Sequence, residues 1–427
     1  MPADESPQPT LLLRFDRRLI GPLILLAVSL RALAMFLYPE NMQRDLDAYL
    51  GIARQVWAGI GFCTPGTAEP TAFRPPLYPL VLALTVPQFT LGRVLLHLLL
   101  GGMTVSFLWT TASQLGLSRP SRCLAAALVA VDPLLIWYTS FPMTEAVCTC
   151  LSAWMLTRLT ASTPSTVQSA VMTGFVFGLC VLCRPTYWIW GALLTAWWCG
   201  EQLRNKLHAP DAERGRSGRI LLATLCGVAL TVSPWILRNW LVMETPIVMT
   251  THGGYTLLLA NNPNFYAEVV EKPWGTTWSG DGLANWTRDV QQQMQAANIQ
   301  GEVAADRWQG ATAREFIRSH PGEFTAACWH RLRMFWNVVP SGEAAAPFPN
   351  WLLWLVGGFY TLWWLAALMG LIVLARGRMY RWWPVVLLLV SFAAVHAVYW
   401  SNMRLRAPVL PGVALLAALP MTRRSLG

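Results

Sequence analysis

Two aspartates, a tyrosine and an arginine stand close together between the first two long apolar runs of the chain, in RDLDAYLGIARQVWAGIGFCTPGTAEPTAFRPPLYP, residues 44–79. Read as a helix, this stretch puts Asp45, Tyr49, Ile52 and Val56 on one face, with Asp47 about 200° round from Asp45. Only one aspartate can then share a site with Tyr49, and the helical reading selects Asp45. Gly59, Gly61, Pro65 and Gly66 break the helix, and Pro75, Pro76 and Pro79 impose an extended approach to the next apolar run, with Arg74 at its mouth. A carboxylate and a guanidinium at a membrane surface suit a reaction in which a base takes the proton of an acceptor hydroxyl while a phosphate leaves. Each residue also has a purely structural alternative: Asp45 as a helix N-cap, Arg74 as a headgroup anchor.

Further candidates stand at the ends of other apolar runs. Glu145, in WYTSFPMTEAV, falls at a short turn on the same side as Asp45, either as a site residue or as a dipole-favoured helix start. Arg404 and Arg406, in SNMRLRAPVLP, either grip a phosphate headgroup or snorkel to it. His396 reads as a hydrogen-bonded structural residue, and Asp132, inside a run, receives no role. Cys180 and Cys183 lack a second ligand pair, so no metal site and no cofactor are expected. Cys63 and Cys328 fall in external loops where a disulfide is possible.

These residues need a membrane scaffold. Of 427 residues, 54% are hydrophobic and only 13% charged, about half the roughly 25% charge of soluble domains, so the chain reads as an all-α polytopic membrane protein. The net charge of +10 is then a matter of topology, not of nucleic-acid binding. Runs of ~20 apolar residues cross a bilayer. About ten are expected, at 19–38, 91–113, 121–140, 143–161, 167–184, 186–201, 219–237, 350–374, 382–400 and 405–421. The proline-rich run 76–90 is too short and reads as interfacial. This parity gathers Arg119, Arg122, Arg158, Arg204, Lys206, Arg214, Arg216, Arg219, Arg376, Arg378, Arg381, Arg423 and Arg424 on the N-terminal, cytoplasmic side.

The expected organisation is a cytoplasmic N-terminus, 1–18, leading into an uncleaved signal anchor, and an N-terminal transmembrane catalytic module, 19–237, containing the first external loop, 39–90. A larger mixed external loop, 238–349, follows, with an amphipathic part from Asp306 to Val338. Transmembrane helices 350–421 and a cytoplasmic tail, 422–427, complete it. No internal repeat is visible. Asn285-Trp286-Thr287 matches a glycosylation acceptor pattern, which matters only in a eukaryotic secretory setting.

In this order the motifs resemble the GT-C membrane glycosyltransferases, in particular the bacterial relatives of protein O-mannosyltransferase and the lipid A aminoarabinose transferase. The resemblance rests on Asp45-x-x-x-Tyr49, Arg74-Pro75-Pro76-Leu77-Tyr78-Pro79, Thr144-Glu145, Pro234-Trp235-x-x-Arg238-Asn239, Gly253-Gly254-Tyr255 with Asn261-Asn262-Pro263, and Arg404-x-Arg406-x-Pro408. It implies inverting transfer of a sugar from a polyprenyl-phosphate donor at the outer face of a bacterial inner membrane, to an acceptor on a lipid, a glycan or a protein. It further implies Asp45 as base, Glu145 as its partner, and Tyr49, Arg74, Arg238, Arg404 and Arg406 around the substrates. The chain departs from the mannosyltransferases in carrying Leu46 where their acidic pair has its second carboxylate, and no large C-terminal soluble domain is expected. The rival class is a sugar or lipid transporter or flippase without covalent chemistry; absent repeats and acids gathered at external run ends favour the enzyme.

Overall fold

The computed structural model describes residues 9–86, 89–161, 166–205, 211–377 and 379–422. Lys206, Arg378, Arg423 and Arg424 of the cytoplasmic set lie outside the described residues. Among those described the chain is all-helical, with no strand. Six helical stretches are long and apolar enough to cross a membrane: Leu19–Leu37, Thr90–Gln114, Ser217–Met243, Asn350–Gly377, Tyr380–Val398 and Met403–Met421. A seventh arises if Arg119–Ala130 and Pro133–Thr139, bent by 44°, form one span.

The first half of the chain carries α1 (Pro9–Leu37), the short loop helices α2 (Tyr49–Trp57) and α3 (Leu77–Ala83), then α4 (Phe89–Gln114), α5 (Arg119–Ala130), α6 (Pro133–Thr139), α7 (Glu145–Thr160), α8 (Val167–Cys183), α9 (Tyr187–Asn205) and α10 (Asp211–Met243). Of the ten runs expected to span, those on α7 and α8 give helices of only 16 and 17 residues. At 1.5 Å per residue these reach about 24–26 Å, short of the ~30 Å hydrocarbon core. The apolar part of α9 stops before Glu201 and Arg204. Pro133 opens α6 and Asp132 caps it, accepting from Leu135 N at 2.7 Å, which is why that run bends.

Small residues let helices touch. A Cβ on Gly174 of α8 would lie 1.9 Å from Thr224 O of α10, and one on Gly227 of α10 would lie 2.2 Å from Val171 O, so each glycine seats the other helix's backbone.

A cap follows α10: α11 (Gly253–Ala260), α12 (Pro263–Phe265), α13 (Gly280–Ala296), α14 (Glu302–Ser319) and α15 (Pro321–Phe335). It has its own core of Leu257, Phe265, Tyr266, Trp278, Trp286, Ala313 and Ala327, against which Trp400 packs. The chain then re-enters the bundle through α16 (Asn350–Gly377), α17 (Trp383–Val398), a 3₁₀ segment at Met403–Val409 and α18 (Leu410–Ala418), whose nine residues are all buried.

Candidate active site

The first loop departs from the expected helix. The α2 helix begins at Tyr49, after Ala48 with φ +63°, so Asp45 and Tyr49 do not share a helical face. The Asp45 carboxylate turns back onto α2, accepting from Leu50 N at 2.9 Å and Gly51 N at 2.6 Å. This is a cap: it satisfies two of the amides that every helix start leaves unpaired. Gly51 makes room for it, since a Cβ there would lie 3.2 Å from Asp45 Oδ2 and 2.8 Å from Pro65. The left-handed residue that this cap stabilises reverses the chain and swings Asp47 inward.

Asp47 meets two arginines. Arg404 Nη1 lies 3.0 Å from its Oδ2 and Arg74 Nη2 3.4 Å from its Oδ1. Arg404 also places Nε 3.4 Å from Glu145 Oε1, an ion pair without hydrogen-bond alignment. Arg184 completes the set, donating to the same Glu145 oxygen at 3.2 Å and to Thr144 Oγ1 at 2.9 Å. Three guanidinium groups therefore surround two carboxylates, an excess of one positive charge. The two acids differ in access: the Asp47 side chain is 20% exposed and that of Glu145 2%. Glu145 Oε2 and Arg74 Nε are buried with no hydrogen-bond partner. Buried polar atoms are rarely left so.

Electrostatics keep Asp47 ionised. Burial pushes its carboxyl up, but the Arg404 and Arg74 guanidinium groups outweigh that and hold it below the usual carboxylate range. His252 stacks edge-on against Phe73, ring centroids 4.4 Å apart, beside the same pair. Burial, then Arg74, depress its pKa to about 3, despite Asp47, so the ring is neutral. Tyr49 is buried, with the Arg74 guanidinium 5.5 Å from its ring centre.

The cap fixes Arg74. Glu302, first residue of α14, accepts from Thr71 Oγ1 at 2.5 Å, from Ala72 N at 2.8 Å and from the Thr251 hydroxyl. Thr251 N in turn donates to Ala72 O at 3.1 Å. Asp306 accepts from Gly254 N at 2.6 Å, and Gly254 lies so close to α14 that a Cβ would be 1.9 Å from Asp306 O. The strand-like strap before Arg74 and the His252 turn are thus tied to one helix.

Beside Arg404 opens a cavity of about 570 Å³. Its larger part is apolar, between Leu30, Leu33 and Leu37 of α1, Leu134 and Trp137 of α6, and Leu352 and Val356 of α16.

Of the residues singled out in the sequence, Glu145, Arg74, Tyr49 and Arg404 come together, and three do not join them. Asp45 is the cap just described. Arg238 donates to Thr71 O at 2.8 Å and Phe62 O at 2.5 Å, under stacking against Trp235, and so pins the first loop. Arg406 is fully buried elsewhere, donating to Phe335 O and Asn337 O with its guanidinium 4.2 Å from the Tyr360 ring centre. Asp132 accepts from Tyr360 Oη at 3.0 Å, and His396 stacks on Phe335 with Nδ1 3.1 Å from Trp400 O. Cys63 and Cys328 are both free. The helical reading sets Asp47 on the face away from the site, and residue types alone give no role to Arg184, His252 or Glu302. For Arg184 the signal was present: an arginine as the last residue of the apolar run 167–184 is a charge at a span end.

No protein-family model matches the chain, and a search of curated proteins returns no match.

Proposed function

We propose that the chain is an integral-membrane glycosyltransferase that moves a sugar from a polyprenyl-phosphate donor to an acceptor hydroxyl at the outer face of a bacterial inner membrane. The observation that carries this reading is Arg404. It borders an apolar cavity on one side and holds Asp47 and Glu145 on the other. A phosphodiester that joins an isoprenoid chain to a sugar, and the phosphate monoester it leaves behind, need that combination: a hydrocarbon groove ending on surplus cationic charge.

The base in this reading is Asp47 rather than Asp45, whose oxygens are taken by α2. The acceptor oxygen attacks the anomeric carbon, its proton passes to Asp47, the bond from that carbon to the phosphate oxygen breaks, and the electron pair leaves with the phosphate, inverting the centre. A carboxylate of depressed pKa is a weak base, so the proton moves as the hydroxyl becomes acidic on bonding to carbon. Arg404 and Arg74 stabilise the charge that develops on the phosphate. Glu145, sealed from solvent, holds Arg404 and Arg184 in place.

We propose further that α7, α8 and α9 complete the crossing with their flanking turns, which together with the bent α5–α6 pair gives ten passages. The cap and the first loop then share the outer side, and the interfacial helices of 39–90 lie at its surface.

The test is transfer by the purified protein in lipid nanodiscs from a panel of radiolabelled polyprenyl-phosphate sugars, with Asp47→Asn as the inactive control. Movement of the donor lipid across the bilayer without any transfer would replace this reading with a flippase.

A further inference from the structure

One end of the cavity beside Arg404 is built differently from the rest. Its wall there includes Trp274, Trp278, Ser279, His330 and Trp400. The rings of Trp278, Phe265 and Trp400 stand in a row, centroids 5.6 Å apart at each step. Arg404 is four residues beyond Trp400, at most ~14 Å of chain, so the row starts within that distance of the ion-pair cluster.

His330 lies edge-on to Trp274 with ring centroids 5.2 Å apart, and Arg333 places its guanidinium 4.0 Å from the centre of that indole. Trp274 is nevertheless 42% exposed. His330 is only 8% exposed, and its Nε2 has no hydrogen-bond partner. An imidazole nitrogen held out of water without a partner is costly, and His330 is part of the cavity wall, so a ligand atom there would repay that cost. Burial, reinforced by Arg333 and Arg331, lowers the pKa of this ring, so His330 offers a neutral donor or acceptor.

Three classes of occupant can be compared. A hydrocarbon tail would use the rings but leave His330 Nε2 and the Ser279 hydroxyl unmatched. An anion would leave the aromatic rings unused, and the nearest cation, Arg333, is already laid against the Trp274 indole. A sugar ring matches both features, because its C–H face lies on an aromatic plane while its hydroxyls point to the edge. We propose that this end of the cavity is a saccharide subsite, with the tryptophan faces packing the ring and His330 Nε2 hydrogen-bonded to one hydroxyl. The acceptor is then a glycan or glycolipid rather than a protein side chain. That the saccharide is the acceptor rests on the transferase reading; that a saccharide binds does not.

Saturation-transfer difference NMR on the full chain in nanodiscs tests this, with methyl pyranosides of hexoses, N-acetylhexosamines and pentoses as probes. At least one sugar should receive saturation at its ring protons. Its affinity should fall about tenfold in Trp274→Ala and in His330→Ala, the scale of one lost hydrogen bond or ring contact. Asp47→Asn should keep the signal, which separates this subsite from the chemistry. Should His330→Ala fail to accumulate, His330→Gln and Trp274→Ala carry the test, the former expected to retain binding through its amide. Silence from every sugar overturns the proposal, as does a signal indifferent to both substitutions. So does loss, in these variants, of binding to sugar-free polyprenyl phosphate alone, which would give this end to the lipid tail. Sugar binding without any transfer would leave the subsite standing and remove the transferase.

Discussion

Arg404 and Asp47, 357 residues apart in the chain, lie 3.0 Å apart in the fold. The same arginine reaches Glu145, so one side chain aligns two carboxylates delivered by the first loop and by α7. That relationship organises the expected behaviour of the variants.

Asp47→Asn should cut the chemical step by roughly 10² or more, the usual scale of general-base loss, while leaving donor binding largely intact. Asp45→Asn should retain most activity, because Asp45 stands outside the ion-pair cluster, although one amide oxygen can serve only one of the Leu50 and Gly51 N–H groups and part of the cap is lost. Asp45→Ala should lower stability by about 1 kcal/mol through the lost cap. Single-turnover transfer together with thermal melting separates the two. Activity lost in Asp45→Asn and kept in Asp47→Asn would return the base to Asp45.

The pH profile tests the ion pairs. Asp47 is held below its ordinary value of ~3.9, so its carboxylate, and the stability its pairs confer, are fully present above that pH. Both are lost as pH falls through the depressed folded value. The acid limb of kcat/KM should therefore lie below about pH 4 in the native chain. It should move upward in Arg404→Gln, which removes the stronger of the two partners. An acid limb unmoved by that change would mean that another group titrates.

Arg74→Ala should raise the donor KM and lower kcat, whereas Arg238→Ala should act mainly on stability. Arg238 serves the carbonyls of Phe62 and Thr71; Phe62 O keeps Thr71 N as a donor, but Thr71 O is left without one, and an unpaired buried acceptor costs about 1–3 kcal/mol. Thermal melting and donor kinetics on the same preparations distinguish them. A stable Arg238→Ala enzyme with a donor defect would place that residue at the phosphate.

Glu302 is a positioning residue. Glu302→Ala frees Thr71, Ala72 and Thr251 at once, and a loss of about tenfold in kcat/KM is expected from charge-assisted bonds of ~1.5–3 kcal/mol each, shared with stability. Coupling to Arg74 is the diagnostic. In a double-mutant cycle, Glu302→Ala should cost little once Arg74 is alanine; additive losses would show that Glu302 merely stabilises the cap.

Sidedness is tested by labelling. Asn285→Cys, on α13, should react with an impermeant thiol reagent added outside, and Ala212→Cys, on α10, should not. The reverse pattern would put the acid cluster on the cytoplasmic side.

Much of this was legible from residue types alone. Charge at the ends of apolar runs marked Arg74, Glu145 and Arg404, because burying an ion there demands a partner. The first loop misled because helical periodicity was extended back through Asp45, and nothing local announces that Ala48 takes a left-handed conformation. A capping aspartate is expected directly before its helix, whereas Asp45 reaches Leu50 N and Gly51 N from four residues ahead of Tyr49. Arg238 and Arg406 look like Arg74 in sequence. Only the distant carbonyls of Phe62, Thr71, Phe335 and Asn337 show that their charges are spent on packing. Span number was only partly legible because hydropathy does not distinguish short apolar helices buried inside a bundle, such as α7, from those long enough to cross a bilayer alone.

The ion-pair cluster also fixes an order of assembly. As the chain leaves the ribosome, Asp47, Arg74, Glu145 and Arg184 are inserted first, and together they are electrically neutral. Arg404 arrives only after the cap and α16 and α17 have been made, and it alone tips the balance to a net cation. In a nascent intermediate this cluster therefore carries no surplus charge of its own, and the part of it that would hold an anionic headgroup is completed last.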